Sequence, residues 1–206
     1  MRVSILICSF GEDHWRRLAI TRAVPSAQRQ KEALDVRGIH LSGRTATLQE
    51  VRNAAGMNAK GEYLAFLDAD DELEVGYVAA MREAWEANQR LEAIYYPAVQ
   101  YVYRETDGER EEDEPQLLGR GRPLIELNRA VIGSLVPKRV FELVGGFKDM
   151  PALEDWEFTL RCSEHIPLVA VPAAVYRVFV RPGSRNENQR LYWQIRRDFE
   201  HVARLA

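Results

Sequence analysis

Residues 61–73 read GEYLAFLDADDEL, an apolar stretch that runs directly into three aspartates. Residues 63–67 carry no charge, which is typical of a strand buried on both faces of a sheet. Two carboxylates about 4 Å apart repel each other by roughly 4 kcal/mol at an effective dielectric constant of about 20, so Asp68, Asp70 and Asp71 need a compensating charge. The segment therefore predicts a central strand with a charged site at its carboxyl end.

A second buried strand and a helix are predicted at the amino end of the chain. Residues 3–10 read VSILICSF, and Gly11 follows them. The apolar side chains after this strand recur every three to four positions, so we expect Asp13 to be the N-cap of a helix over residues 14–24 that ends at Pro25.

A third strand and a second helix are predicted between these two segments. Residues 35–43 read DVRGIHLSG, a weaker strand candidate, and we expect Thr45 or Thr47 to open a helix over residues 48–59. The alternation of strand and helix predicts a parallel α/β sheet, in which ligands bind beyond the carboxyl ends of the strands.

The remaining chain predicts aromatic strands and short helices. We expect a helix over residues 75–90, a strand over 92–105 and a hairpin turn at Asp107 and Gly108. A short helix over 138–144 should follow and end at Gly145 and Gly146. The last predicted elements are a helix that begins near Glu154, strands over 166–180 and a closing helix over 186–206.

Composition narrows the class of protein. The chain has 206 residues, 46% hydrophobic and 29% charged, with a formal net charge of −3, which is typical of one globular domain and gives no bulk reason to expect a nucleic acid partner. No apolar run is long enough for a signal peptide or a membrane span, so we expect no integral membrane segment and a cytoplasmic location.

Oxygen ligands at a strand end favour a divalent cation. Mg²⁺ and Mn²⁺ prefer carboxylates, and they usually complete their coordination with substrate phosphate. The alternative is that the aspartates only cap the next helix and face water. A calcium EF-hand loop would need glycine at Leu73 and glutamate at Ala79, and the chain contains neither a dinucleotide-binding nor a P-loop glycine motif.

The segment VRNAAGMNAKGEYLAFLDADDEL, residues 51–73, resembles the metal-binding region of inverting family 2 glycosyltransferases with the GT-A fold. Three more segments resemble that family in the expected order: ILICSFGED at 5–13, VPKRVFELVGGFKDMPALEDWEFTLR at 136–161 and YRVFVRPGSR at 176–185. The resemblance implies a GT-A-like α/β domain over residues 1–206, with a mostly parallel central sheet flanked by helices and a smaller acceptor-side β region. Residues 1–72 would bind the nucleotide sugar, 73–185 would form the acceptor side and 186–206 a C-terminal helix.

The same resemblance implies roles on the donor side. Asp70 would bind Mn²⁺ or Mg²⁺ directly, Asp68 would lie near the metal or the donor ribose, and Asp71 would support both. The further residues implied to contact the nucleotide or its diphosphate are Ser9, Phe10, Glu12, Arg52, Arg181, Ser184 and Arg185.

A base is needed to take a proton from the acceptor hydroxyl, and a carboxylate within hydrogen-bond reach can do this. The candidates are Glu154 and Asp155, of which the resemblance favours Asp155. By position alone, both are also acids of the kind that the dipole favours at a helix amino end. Trp156 beside them would either stack on a sugar or be buried.

The sequence thus predicts a metal-dependent inverting glycosyltransferase, hexosyltransferase-like, that uses a nucleoside-diphosphate sugar, with a UDP-sugar as the expected donor. The class of the acceptor hydroxyl and the oligomeric state stay open. One alternative is phosphoryl or nucleotidyl transfer with the same aspartates. The other is a catalytically silent domain that binds nucleotide sugar or glycan, because the acid expected after the second strand is missing and Phe179 and Val180 stand where relatives carry a metal-binding histidine.

Overall fold

Strands and helices alternate along the first half of the chain, as the sequence predicts. The computed structural model describes residues 1–33, 35–42, 47–105, 108–111, 114–118, 123–124, 128–150 and 153–180. In chain order the elements are β1 (Val3–Gly11), α1 (Asp13–Thr21), α2 (Ala23–Gln28), β2 (Asp35–Ser42), α3 (Leu48–Asn58), β3 (Tyr63–Asp68), β4 (Glu72–Leu73), α4 (Tyr77–Ala87), β5 (Ile94–Glu105), β6 (Gly108–Glu111), β7 (Leu135–Pro137), α5 (Lys138–Leu143), α6 (Glu154–Ser163) and β8 (Leu168–Val180).

The described strands form one eight-stranded mixed sheet in the order β2-β1-β3-β7-β5-β8-β4, with β6 paired to β5 outside this path. β1 is parallel to both β2 and β3, and β8 is parallel to β5. The short β7 is antiparallel to both β3 and β5 and so joins the two parallel regions. Most paired residues lie in the parallel ladders, which confirms the predicted α/β class.

Helices cover both faces of the sheet because successive strand residues point to opposite sides. Ile5, Ile7 and Leu67 belong to one buried cluster, which also holds residues of α1, α2 and α4. Leu6 and Phe66 belong to the other cluster, which holds residues of α3, α5 and α6. A continuous apolar run in β1 and β3 therefore corresponds to a strand with a core on each side.

The first helical region differs from the prediction of one helix that ends at Pro25. The helix α1 ends at Thr21, Arg22 leaves helical geometry with φ −124° and ψ −72°, and a second helix begins at Ala23. Pro25 lies in the first turn of α2, where a missing backbone N–H removes no helical hydrogen bond. The proline therefore starts a helix here instead of ending one.

The helix α3 begins as expected at Thr47. The Thr47 side chain accepts a hydrogen bond from the Glu50 backbone N–H, and the Glu50 carboxylate accepts one from the Thr47 N–H, which together form a capping box. This cap sets the first turn of the helix that carries Arg52.

Two of the predicted features lie outside the described residues, namely Asp107 of the hairpin turn and the helix over 186–206. Cys8 and Cys162 are buried free thiols. Within the described ranges, no helix combines the length and the apolar character needed to cross a bilayer.

Candidate active site

The carboxyl ends of β1, β2 and β3 meet at one edge of the sheet. Cys8 of β1 lies opposite Asp68 of β3, and Ser9 lies opposite His40 of β2. The segment at the end of β1, which is predicted to contact the nucleotide, and the aspartates after β3 are therefore neighbours, as expected for parallel strands.

Arg52 lies beneath this edge and joins two acids that are far apart in sequence. Its Nη2 donates to Asp68 Oδ1 at 2.7 Å and its Nη1 to Glu154 Oε1 at 2.8 Å. Only 2% of the residue is exposed, and the guanidinium lies over the Phe147 ring at 5.3 Å from its centroid. Although burial opposes the charge, the carboxylates of Asp68 and Glu154 raise the pKa of Arg52 above its ordinary value. The bridge Asp68–Arg52–Glu154 thus connects the acids after β3 to the acids at the start of α6.

The three aspartates after β3 have different surroundings. Asp68 is partly buried and pairs with Arg52, whereas Asp71 is only 6% exposed. The carboxylate of Asp71 accepts hydrogen bonds from the Tyr176 hydroxyl at 2.9 Å and the Phe179 backbone N–H at 3.0 Å. Burial, with Asp70 and Asp68 nearby, raises the pKa of Asp71 well above its usual range. Protein groups therefore supply part of the compensation that the crowded acids need.

The acids Glu154 and Asp155 open the helix α6 after Leu153, which has a positive φ of 62°. Asp155 Oδ1 accepts a hydrogen bond from the Trp156 backbone N–H at 2.8 Å, and Oδ2 accepts one from Asn128 Nδ2 at 3.0 Å. Burial, and then the charge of Glu154, raise the pKa of Asp155 to about 6. A carboxylate with such a pKa is suited to accept a proton near neutral pH. Glu154 is held by Arg52, so Asp155 is the better placed of the two to act as a base.

The sequence and the fold were compared with those of known proteins. Residues 5–141 match the profile of glycosyl transferase family 2, which spans well over half of the chain. This chain belongs to glycosyl transferase family 2. No curated protein sequence matches it significantly.

Solved structures of S. aureus TarS share the fold of this family 2 chain. TarS 1–349 in complex with UDP-GlcNAc gives a TM-score of 0.65 at 12% identity, covering 91% of this chain and 61% of that one. TarS 1–349 in complex with UDP gives 0.61 at 13% identity over 88% of this chain and 61% of that one. The family 2 chain therefore spans about three fifths of TarS 1–349. The predicted family and the GT-A-like fold are both confirmed.

The other residues predicted to contact the nucleotide or its diphosphate differ in burial and in partners. Ser9 is 5% exposed, and its hydroxyl lies 3.0 Å from His40 Nδ1. Phe10 is partly buried against the core, and Glu12 is exposed with its carboxylate 3.3 Å from His14 Nδ1. The predicted diphosphate contacts lie outside the described residues, namely Arg181, Ser184 and Arg185.

Of the two roles predicted for Trp156, the structure supports burial. The side chain is fully buried, and its Nε1 donates to the Leu124 carbonyl at 2.8 Å. It therefore presents no face on which a sugar could stack.

Asp68 and Asp70, two partly buried aspartates at the sheet edge, are the residues that could hold a divalent ion. In the described part of the chain, no group of three or more histidine, cysteine, aspartate or glutamate side chains is placed to hold a metal. Asp68 and Asp70 offer carboxylate oxygens, which Mg²⁺ and Mn²⁺ prefer, and such ions take substrate phosphate as further ligands. A site of this kind would need the donor to complete it.

Sequence reasoning did not assign Asn128 or Tyr176 to the site, and it expected Asn53 only to cap or position its helix. The Asn53 side chain donates to the Phe147 carbonyl and accepts from the Phe147 N–H, both at 2.8 Å, which fixes the Phe147 ring near Arg52. Asn128 and Tyr176 contact the acids Asp155 and Asp71. Asn53 and Tyr176 lie inside the segments that resemble the family, which was an available signal, whereas nothing in the local sequence marks Asn128.

Proposed function

We propose that this protein is a metal-dependent inverting glycosyltransferase that moves a sugar from a nucleoside-diphosphate sugar to an acceptor hydroxyl. Membership of glycosyl transferase family 2 supports the class of reaction. The observation that carries the proposal is the buried bridge Asp68–Arg52–Glu154, because it links an aspartate of the proposed donor side to Glu154, the neighbour of the candidate base Asp155.

On the donor side, Asp68 and Asp70 would hold Mg²⁺ or Mn²⁺, and the chemistry that the ion supplies is stabilisation of the charge developing on the departing diphosphate. The Arg52 guanidinium forms an ion pair with Asp68 through Oδ1, which partly balances the charge of that carboxylate and holds it in place. A UDP-sugar is the donor we propose, and the capture of UDP-GlcNAc by TarS, which has the same fold, supports a donor of this kind.

On the acceptor side, Asp155 would take the proton of the attacking hydroxyl. The acceptor oxygen forms a bond to the anomeric carbon on the face opposite the diphosphate, the bond to the phosphate oxygen breaks, and the nucleoside diphosphate leaves. A single displacement of this kind inverts the anomeric configuration. The hydrogen bonds from the Asn128 amide and the Trp156 N–H orient the Asp155 carboxylate and favour its deprotonated form.

Glu154 has a positioning part in this mechanism. It is 7% exposed and paired with Arg52. Its charge raises the pKa of Asp155 and so strengthens Asp155 as a proton acceptor.

The test is the release of UDP from UDP-GlcNAc and other UDP-sugars, with and without Mn²⁺. We expect Mn²⁺-dependent release that falls by about 100-fold or more in Asp155→Asn and in Asp70→Asn. The control Glu142→Gln alters an exposed acid on α5 and is expected to match the wild type.

The anomeric configuration of the transferred sugar, measured by NMR, tests inversion. An unchanged rate in Asp155→Asn would remove this residue from the base role. Release of inorganic phosphate or nucleoside monophosphate instead of UDP would indicate phosphoryl or nucleotidyl transfer, and binding of the UDP-sugar without turnover would indicate a silent domain.

A further inference from the structure

The end of β8 grips the aspartate loop, here defined as residues 68–71, through groups that face the protein interior. Both carboxylate oxygens of Asp71 are hydrogen-bonded by β8, one to the Tyr176 hydroxyl at 2.9 Å and the other to the Phe179 N–H at 3.0 Å. Only 6% of Asp71 is exposed, so β8 holds this acid in a buried position.

The Tyr176 hydroxyl also contacts the other end of the aspartate loop. It accepts a hydrogen bond from the Asp68 backbone N–H at 3.3 Å while it donates to Asp71. One hydroxyl therefore joins the first and last residues of the loop, which the Asp71 N–H also links through the Asp68 carbonyl at 3.2 Å, and Asp70 lies between them.

Packing fixes the Tyr176 ring. The side chain is fully buried, and a Cβ atom at Gly133 would lie 2.1 Å from the ring, so only glycine fits there. The hydroxyl cannot move without displacing this packing, which makes it a rigid reference point for the loop.

Arg22 makes a second connection between the loop and β8. Its Nη1 donates to the Asp70 carbonyl at 3.1 Å, and its guanidinium lies 3.6 Å above the centre of the Phe179 ring. A cation over an aromatic face is attracted to it, so this contact holds the middle of the loop to the same strand.

We propose that Asp71 and Tyr176 are positioning residues, which orient the Asp68 and Asp70 carboxylates toward the diphosphate of the donor without touching the metal or the donor themselves. This inference deepens the proposed function and rests on it for the identity of the ligand. Asp71 would then have a different role from Asp68 and Asp70.

The experiment compares Tyr176→Phe, which removes the hydroxyl and keeps the ring, with Asp71→Asn, which keeps the shape of the acid. The matched control is Tyr95→Phe, since Tyr95 is buried and its hydroxyl donates to the Leu91 carbonyl, away from the loop. Two properties are measured: amide hydrogen exchange over residues 68–73 in the protein alone, and the affinity for UDP with Mn²⁺ by calorimetry.

We expect exchange over 68–73 to become about tenfold faster in Tyr176→Phe, and the affinity for UDP with Mn²⁺ to fall by about tenfold, which corresponds to the loss of a hydrogen bond or two. Asp71→Asn keeps one acceptor oxygen and should show a smaller change in both. Tyr95→Phe should leave both at the wild-type level, although it lowers the melting temperature. In Tyr176→Phe the donor KM should rise more than kcat falls.

Unchanged exchange and affinity in Tyr176→Phe would overturn the proposal. So would an Asp71→Asn variant that loses the effect of Mn²⁺ while Tyr176→Phe retains it, because Asp71 would then be a direct ligand. If the wild type binds no UDP with Mn²⁺, the proposed function fails, and the exchange data alone decide whether Tyr176 positions the loop.

Discussion

The two acidic clusters of the site, Asp68–Asp71 after β3 and Glu154–Asp155 at the start of α6, handle crowded carboxylates in different ways. In the first cluster, the neutral Tyr176 hydroxyl and the Phe179 N–H satisfy the buried acid, Asp71. In the second, the Arg52 cation satisfies the buried acid, Glu154. In the first cluster, Asp71 is buried by β8 and Asp70 is a candidate metal ligand; in the second, Glu154 is paired with Arg52 and Asp155 is the candidate base.

This difference has an energetic consequence. Burial, and then the charges of Asp70 and Asp68, raise the pKa of Asp71 although the hydrogen bonds from Phe179 and Tyr176 lower it, so its charge is disfavoured. In the second cluster, burial and then the neighbouring charge of Glu154 raise the pKa of Asp155 to about 6. The first arrangement stabilises geometry, whereas the second also tunes a proton acceptor. Arg52 contacts both clusters, so it is the residue with which to separate them.

Arg52→Met should have the largest effect on stability. Removing one partner of a buried ion pair leaves uncompensated charge, here on Glu154 and Asp68, and typically lowers the free energy of unfolding by about 3–5 kcal/mol. Urea unfolding measures it. The control Arg2→Met breaks the exposed pair with Glu62 and should change the free energy by about 0–1 kcal/mol. If Arg52→Met matched the control, the bridge would not hold the two clusters together.

Asp155→Asn should raise stability at pH 7.5 by about 1–3 kcal/mol. The pKa of Asp155 is about 6 in the folded protein, above its ordinary value of 3.8, so the folded state binds the proton more tightly than the unfolded state. The contribution of Asp155 to stability is therefore highest at low pH and decreases as the pH rises from about 4 to 6. Thermal unfolding of the two proteins should converge near pH 3.5. A variant less stable than the wild type at pH 7.5 would contradict this account.

The pH dependence of the sugar transfer should follow the second cluster. Asp155 must be deprotonated to act as a base, so kcat/KM should fall by about tenfold for each pH unit below about 6. The affinity for UDP with Mn²⁺, measured over the same range, should not show this step. A rate that is flat down to pH 5 would separate Asp155 from catalysis.

Asn128→Ala should have the smallest effect of these changes, and it tests whether Asn128 favours the charged form of Asp155. Its amide donates to Asp155 Oδ2 and so favours the charged form, and its loss should move the acid limb of the rate profile upward by about half a pH unit. Asn58→Ala removes an exposed amide that bonds the Ala54 carbonyl and should leave the profile unchanged. If both variants gave the wild-type profile, Asn128 would not tune the base.

Local sequence patterns predicted most of the strands and helices. They failed where the same residue could indicate two different structures. The apolar runs predicted β1 and β3, and the Thr47 capping box starts α3 where threonine and glutamate are spaced for it. Pro25 was misread because proline both ends helices and fits their first turn, and only the break at Arg22 distinguishes the two cases. Trp156 was ambiguous because burial depends on what packs over α6, which the local sequence does not contain.

By itself, the sequence determined the alternation of strands and helices in the first half of the chain and the position of the acids just beyond β3 and at the start of α6. Both follow from the spacing of apolar and polar residues over a few turns. Only the tertiary structure decided which acids are held and by what: Arg52 meets partners 16 and 102 residues away, and Asp71 meets partners 105 and 108 residues away. The reason is that local spacing sets which face of an element a side chain occupies, whereas the partner on the other side of that face is brought there by the packing of distant elements.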